Sequence, residues 1–313
     1  MRSLRFCAIC VLTGSLLPAT RALNSRAGGS GAHRLGLAWA VPFFAAYTLS
    51  RQAQTLSAVV LLPGIGMILV ALVFISYALV RRLGVGHLAL GGLAWLVAVA
   101  LKFLWAIPFN AMIFQALTGR LPEPLGSILF YIYVGALTGV FEVALVWLVL
   151  RYTRLGQAPW KKALAFGIGF GALEALLLGL SSFGSSLVGL LAPDQLPPAA
   201  LAQLALANNV LYGLAPIVER MATIFVHIFA NALLFYAAVI RQPRWFWAAF
   251  IYKTGLDGVA AFAQLWGLNT LGRIWTIEAV VVLFGLLGWW GIRWVAQRYP
   301  DMSPTSDKDQ STP

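Results

Sequence analysis

Of the ten acidic residues in this chain, five fall inside long apolar stretches: Glu142, Glu174, Glu219, Asp257 and Glu278. Lys102, Arg220, His227 and Lys253 lie in the same kind of surroundings. A charged group at the centre of a bilayer costs about 2.5–3.5 kcal/mol on insertion scales, so its default meaning is a functional site. These residue types suit hydrolysis: a carboxylate or imidazole can take a proton from water, and an amide or guanidinium can stabilise an oxyanion. Glu174 or Glu142 is the candidate general base, with His227 as acid–base partner and Asp257 as orienting group. Glu219 is a further acid of the set, and Asn231 or Arg220 is the candidate oxyanion donor. The trio Glu174, His227 and Asp257 could also hold a divalent metal such as zinc, with one position open. Catalytic zinc usually has two or three His ligands, whereas one His lies in an apolar run here, so metal-dependent and metal-free chemistry both stay open. No H-E-x-x-H pair occurs, and no G-x-S-G serine motif falls within the predicted apolar runs.

Each of these residues has a plainer reading. Glu142 and Lys253 would make a buried ion pair that sets helix register, and such a pair should tolerate being swapped. Glu219 and Arg220 would each pair with other helices, Lys102 would be structural, and His227 would be a hydrogen-bonded packing residue. Glu278 and Arg273 are expected near the outer interface, solvated.

The elements that must position these groups are apolar. The chain has 313 residues, 60% hydrophobic and 10% charged, with a mean hydropathy of +0.83. Soluble domains carry about 25% charged residues. Apolar runs are predicted at residues 35–49, 56–80, 88–116, 125–150, 161–180, 209–240, 245–265 and 272–296. The fold class is an all-α polytopic membrane protein, a bundle of about seven or eight transmembrane helices. The short alternating segments of an outer-membrane barrel are absent. Residues 1–34 read as an N-terminal extension or signal-like segment, with Cys7 and Cys10 as packing residues. Residues 35–298 form the helical domain, and 299–313 a disordered polar tail.

The formal charge of +12 suggests no nucleic-acid partner, because Arg and Lys fall mainly between the apolar runs, where anchoring and orientation need them. The expected partners are the lipid bilayer and a membrane-embedded or membrane-adjacent peptide. Basic connections at 81–87, 151–162 and 241–244 alternate with near-neutral ones at 117–124, 181–208 and 266–271. The positive-inside rule then puts the basic connections and the C-terminus on the cytoplasmic side, in a bacterial or archaeal-type cytoplasmic membrane. At about 1.5 Å per residue, Glu174, His227 and Asp257 lie roughly 18, 21 and 20 Å from that side, so three helices bring them to one level. Gly167, Gly169 and Gly171 strip side chains from one face of their helix, and Glu174, one turn later, faces the bundle. His227 and Asn231 share a helix face. A faint echo links "GVFEVAL" at 139–145 and "GALEALL" at 171–177, and "GWWGIRW" at 288–294 reads as an interfacial tryptophan belt.

The order "GVFEV", "GIGFGALEA", "ERMATIFVHIFAN" and "KTGLDGV" on successive spans resembles the YhfC family of intramembrane proteases, related to the CAAX-protease and bacteriocin-processing superfamily. The resemblance covers about residues 56 to 296. It implies a helical bundle and Glu-dependent, metal-assisted or metal-free hydrolysis of a peptide bond in or near the bilayer. Glu142, Glu174, Glu219, Arg220, His227 and Asp257 match the family's motif positions. Val143 and Val146 stand where the resemblance implies Glu and Arg, and Phe170 and Lys253 stand where it implies His. Two other readings stay in view: a catalytically degenerate scaffold or pseudoprotease, and a transporter whose midplane carboxylates relay protons.

Overall fold

The computed structural model describes residues 56–300, and every regular element among them is helical. A 3-10 turn, Ala58–Leu61, leads into α1 (Leu62–Val80), followed by α2 (Val85–Arg120). α3 (Leu125–Thr138) continues through a π turn, Gly139–Ala144, into α4 (Leu145–Tyr152). Then come α5 (Trp160–Leu191), a short α6 (Pro198–Ala207), α7 (Val210–Val239), α8 (Arg244–Trp266) and α9 (Leu271–Arg298). The expected extension 1–34, the run 35–49 and residues 301–313 lie outside the described residues.

Local chemistry sets several helix starts. The Asn209 side chain accepts from the Leu211 N–H and Thr270 from the Arg273 N–H, so each occupies a donor that the first turn leaves open. Six helices are long and apolar enough to cross a membrane: Ala58–Val80, Val85–Arg120, Leu125–Tyr152, Trp160–Leu191, Val210–Val239 and Leu271–Arg298. The protein is an integral membrane protein. α8 has 23 residues but is not among the six, because Arg244, Lys253, Asp257 and Gln264 lower its hydropathy. The predicted connection 181–208 is shorter than expected. α5 runs on to Leu191, where Ser186 donates to the Val60 carbonyl at 2.8 Å, and α6 fills most of the rest.

α5 and α7 are the most enclosed spans, and glycine brings them together. A Cβ at Gly167 would meet Ile228 Cα at 2.9 Å, and one at Gly171 would meet Ile224 Cα at 3.2 Å and His227 Cβ at 3.1 Å. Gly169 faces the other neighbour, where a Cβ would lie 1.9 Å from the Leu88 carbonyl oxygen of α2. Gly167, Gly171 and Glu174 are spaced i, i+4, i+7, so the carboxylate continues the stripe that meets α7. α7 and α9 run parallel, with Gly285 against Ala222, Gly288 against Phe225 and Gly291 against Phe229.

At the end of the bundle that carries the basic connections, Trp294 packs inward on Trp245 at 4.8 Å rather than joining a belt, while Trp290 stays exposed. Tyr299 packs on Trp160, and its hydroxyl donates to the Ala158 carbonyl at 2.8 Å. Burial there favours the neutral phenol and pushes its pKa up.

Candidate active site

A cavity of about 240 Å³ lies between α2, α3, α5, α7, α8 and α9. Its lining includes Lys102, Glu142, Glu174, Glu219, Arg220 and His227, together with Lys253, Asp257 and Glu278. Side chains from separate helices therefore gather around one space.

The first cluster joins α5 to α7. Glu174 Oε2 lies 2.8 Å from His227 Nε2 and accepts from Trp95 Nε1 at 2.9 Å, while Oε1 accepts from Arg220 Nη1. Arg220 Nη2 donates to Glu219. A guanidinium carries five N–H donors, so two carboxylates leave three of Arg220's unused in these pairs. His227 Nδ1 is buried with no hydrogen-bond partner among the described residues. An Nε2–H directed at Glu174 leaves the lone pair on Nδ1, since the partner of one ring nitrogen decides the tautomer. The Phe170 ring sits 5.2 Å from the imidazole, an apolar wall one turn before Glu174.

The second cluster joins α2, α3 and α8. Glu142 lies on the π turn and is 5% exposed, turned inward where the extra residue of such a turn re-aims the helix face. Its Oε1 accepts from Lys102 Nζ at 2.5 Å. Its Oε2 is 3.2 Å from Lys253 Nζ, an ion pair without hydrogen-bond alignment. Lys102 also donates to Thr138 Oγ1 at 3.2 Å and lies 3.8 Å from Asp257 Oδ2, which accepts from the Thr138 hydroxyl.

Several expectations need correction. Asp257 reaches the cavity but is recorded in contact with Thr138 and Lys102, with neither Glu174 nor His227 among its partners. Asn231 does not line the cavity: its Nδ2 donates to the His227 carbonyl at 2.9 Å, one turn back on its own helix. That local bond outcompetes the shared-face geometry. The expected Glu142–Lys253 ion pair is present at 3.2 Å, with Lys102 as a second and closer partner at 2.5 Å. Glu278, expected at the interface, is 6% exposed and lines the cavity. The Glu142 and Glu174 motifs also differ in backbone, one on a π turn and one on a regular α-helix, so their sequence echo has no structural counterpart.

A helical membrane bundle with acids, a histidine and cations around an interior cavity defines a class: integral membrane proteins with an intramembrane polar site. A family profile described as YhfC intramembrane metalloprotease matches residues 66–282, and the chain belongs to that family. No curated protein and no solved structure matches it.

The family description implies a metal, and the residues present do not fit one. Among the described residues no group of three His, Cys, Asp or Glu is placed to hold a metal ion. Glu142 and Glu174 already have Lys102, Lys253 and Arg220 as counter-charges, and cationic side chains beside a carboxylate repel a second cation.

Proposed function

We propose that this protein hydrolyses a peptide bond in or near the bilayer, with Glu174 and His227 as a metal-free orienting and acid–base pair. The observation that supports this is the 2.8 Å contact of His227 Nε2 with Glu174 in a residue that lines the cavity, with Nδ1 buried and without a hydrogen-bond partner among the described residues. Both Glu174 oxygens already accept hydrogen bonds, so this carboxylate fixes the imidazole instead of acting as the base. His227 Nδ1 takes a proton from water as the oxygen attacks the carbonyl carbon of the peptide. The resulting oxyanion accepts from an unused Arg220 N–H. The tetrahedral intermediate collapses, the C–N bond breaks, and His227 returns the proton to the departing amine. Glu142, Lys102, Lys253, Thr138 and Asp257 hold the opposite wall. The alternation of basic and near-neutral connections supports a cytoplasmic side for residues 81–87, 151–162, 241–244 and the C-terminus on this reading.

The test is proteolysis in proteoliposomes, using single-span reporter peptides that carry a fluorophore on each side of the cleavage region. Wild-type protein releases product, and His227→Ala, folded to the same melting temperature, does not. Equal product from the two would sink this assignment.

One observation favours a second reading. Glu142 between two lysines and Glu174 between a guanidinium and an indole are fully engaged, as charges that only lock helices together would be. A catalytically degenerate scaffold then predicts no product from the wild-type protein, together with loss of fold in Glu142→Gln.

A further inference from the structure

Five carboxylates line the cavity, and three cationic side chains, Lys102, Arg220 and Lys253, lie within ion-pair reach of four of them. The fifth is Glu278 on α9. It is 6% exposed, its Oε2 is buried with no hydrogen-bond partner, and among the described residues no cation lies within ion-pair distance, Arg220 acting on it only from further away. A buried acid without a partner calls for an explanation, and inside a membrane the default one is a ligand.

The helix register shows where this group sits. Gly285 lies against Ala222 and Gly288 against Phe225. Continuing that parallel ladder back by two turns sets Glu278 opposite Ala215, one turn from Glu219. Glu219 keeps a side-chain exposure of 36% although Arg220 pairs with it. Gln264 and Leu268 line the same end of the cavity, away from the basic connections. His227 is twelve residues, about 18 Å, further along α7 than Ala215. An extended peptide covers that span with about five residues.

We infer that Glu278, with Glu219 beside it, forms a subsite for the guanidinium or ammonium group of an Arg or Lys side chain on a peptide ligand. This rests on the reading of the cavity as a peptide site. Neutralising Glu278 with a ligand charge removes the unpaired buried acid, and the ligand's cation gains a low-dielectric partner. The substrates are then apolar segments with a basic residue about five positions from the cleaved bond.

The experiment is isothermal titration of the detergent-solubilised full chain with two acetylated, amidated heptapeptides of leucine and alanine. One carries arginine at its first position, the other citrulline, which keeps the shape without the charge. Wild-type protein is expected to bind the arginine peptide at least tenfold more tightly, and Glu278→Gln to bring the ratio close to one. Equal binding by wild-type protein, binding of neither peptide, or a ratio that survives in Glu278→Gln overturns the inference. Glu278→Gln removes no recorded partner and should fold; if it does not, Glu278→Asp must lower the ratio instead, and an unchanged ratio there also overturns it. Hydrolysis is followed separately. Selective binding without cleavage removes the hydrolase reading and leaves the subsite, while cleavage without selectivity does the reverse.

Discussion

The two walls of the cavity handle charge differently. On the α5–α7 side, Glu174 meets an imidazole, an indole and a guanidinium, and one imidazole nitrogen is left with no partner. On the α2–α3–α8 side, Glu142 lies between two ammonium groups, and Thr138 links Lys102 to Asp257. The first wall holds an imidazole nitrogen with no partner among the described residues, and the second holds charges that cancel. On the proposed reading, similar residue types at similar depth serve chemistry on one side and framework on the other, and the difference lies in whether an imidazole nitrogen is left without a partner.

The sharpest break of this contrast pairs His227→Ala with Glu142→Gln. His227→Ala should lower cleavage of the reporter by about 10²–10⁴-fold, the range of a lost acid–base group, with little change in melting temperature. Glu142→Gln should do the opposite. It strands Lys253 and leaves Lys102 with Thr138 and the more distant Asp257, at about 3–5 kcal/mol for a broken buried pair, and is read as lost folded protein by thermal denaturation. The swapped double variant Glu142→Lys, Lys253→Glu should not rescue stability, because the new lysine would face Lys102. Recovery of the wild-type melting temperature would show that Lys102 plays no part in the second wall. A smaller effect is expected from Gly171→Ala. Its Cβ would crowd Ile224 and His227, costing about 1–3 kcal/mol by overpacking and lowering turnover through the displaced imidazole. Chelation with 1,10-phenanthroline should have the least effect, leaving cleavage rate and melting temperature unchanged. A stoichiometric loss of both would show that a metal, not the lysines, sets the charge of this cavity.

Much of the architecture was readable before any coordinates. Long apolar runs must be helices in lipid, and the predicted spans from 56–80 to 272–296 match helices at nearly the same places, except that the helix read at 161–180 continues to Leu191. The glycine face beside Glu174 was legible only in part: Gly167 and Gly171 meet α7, but Gly169, read on the same face, meets Leu88 of α2. Partner choice was less legible. Asn231 shares a face with His227 yet turns back to its own backbone, a rotamer preference that spacing does not encode. Lys253 was paired with Glu142 from the sequence, but Lys102, the closer partner of a glutamate that sits on a π turn, was not. Glu278 lies close to a helix start and reads as interfacial by depth, but the tight parallel contact of α9 with α7 buries it.

The modest hydropathy of α8 bears on how the chain is made. Presented to lipid by itself, a segment with Lys253 and Asp257 at its middle has poor reason to stay there. Glu142 and Thr138, synthesised earlier, offer those groups partners as the segment leaves the ribosome. Membrane integration of this region is therefore a cooperative step, in which an earlier hairpin recruits a later and more reluctant one.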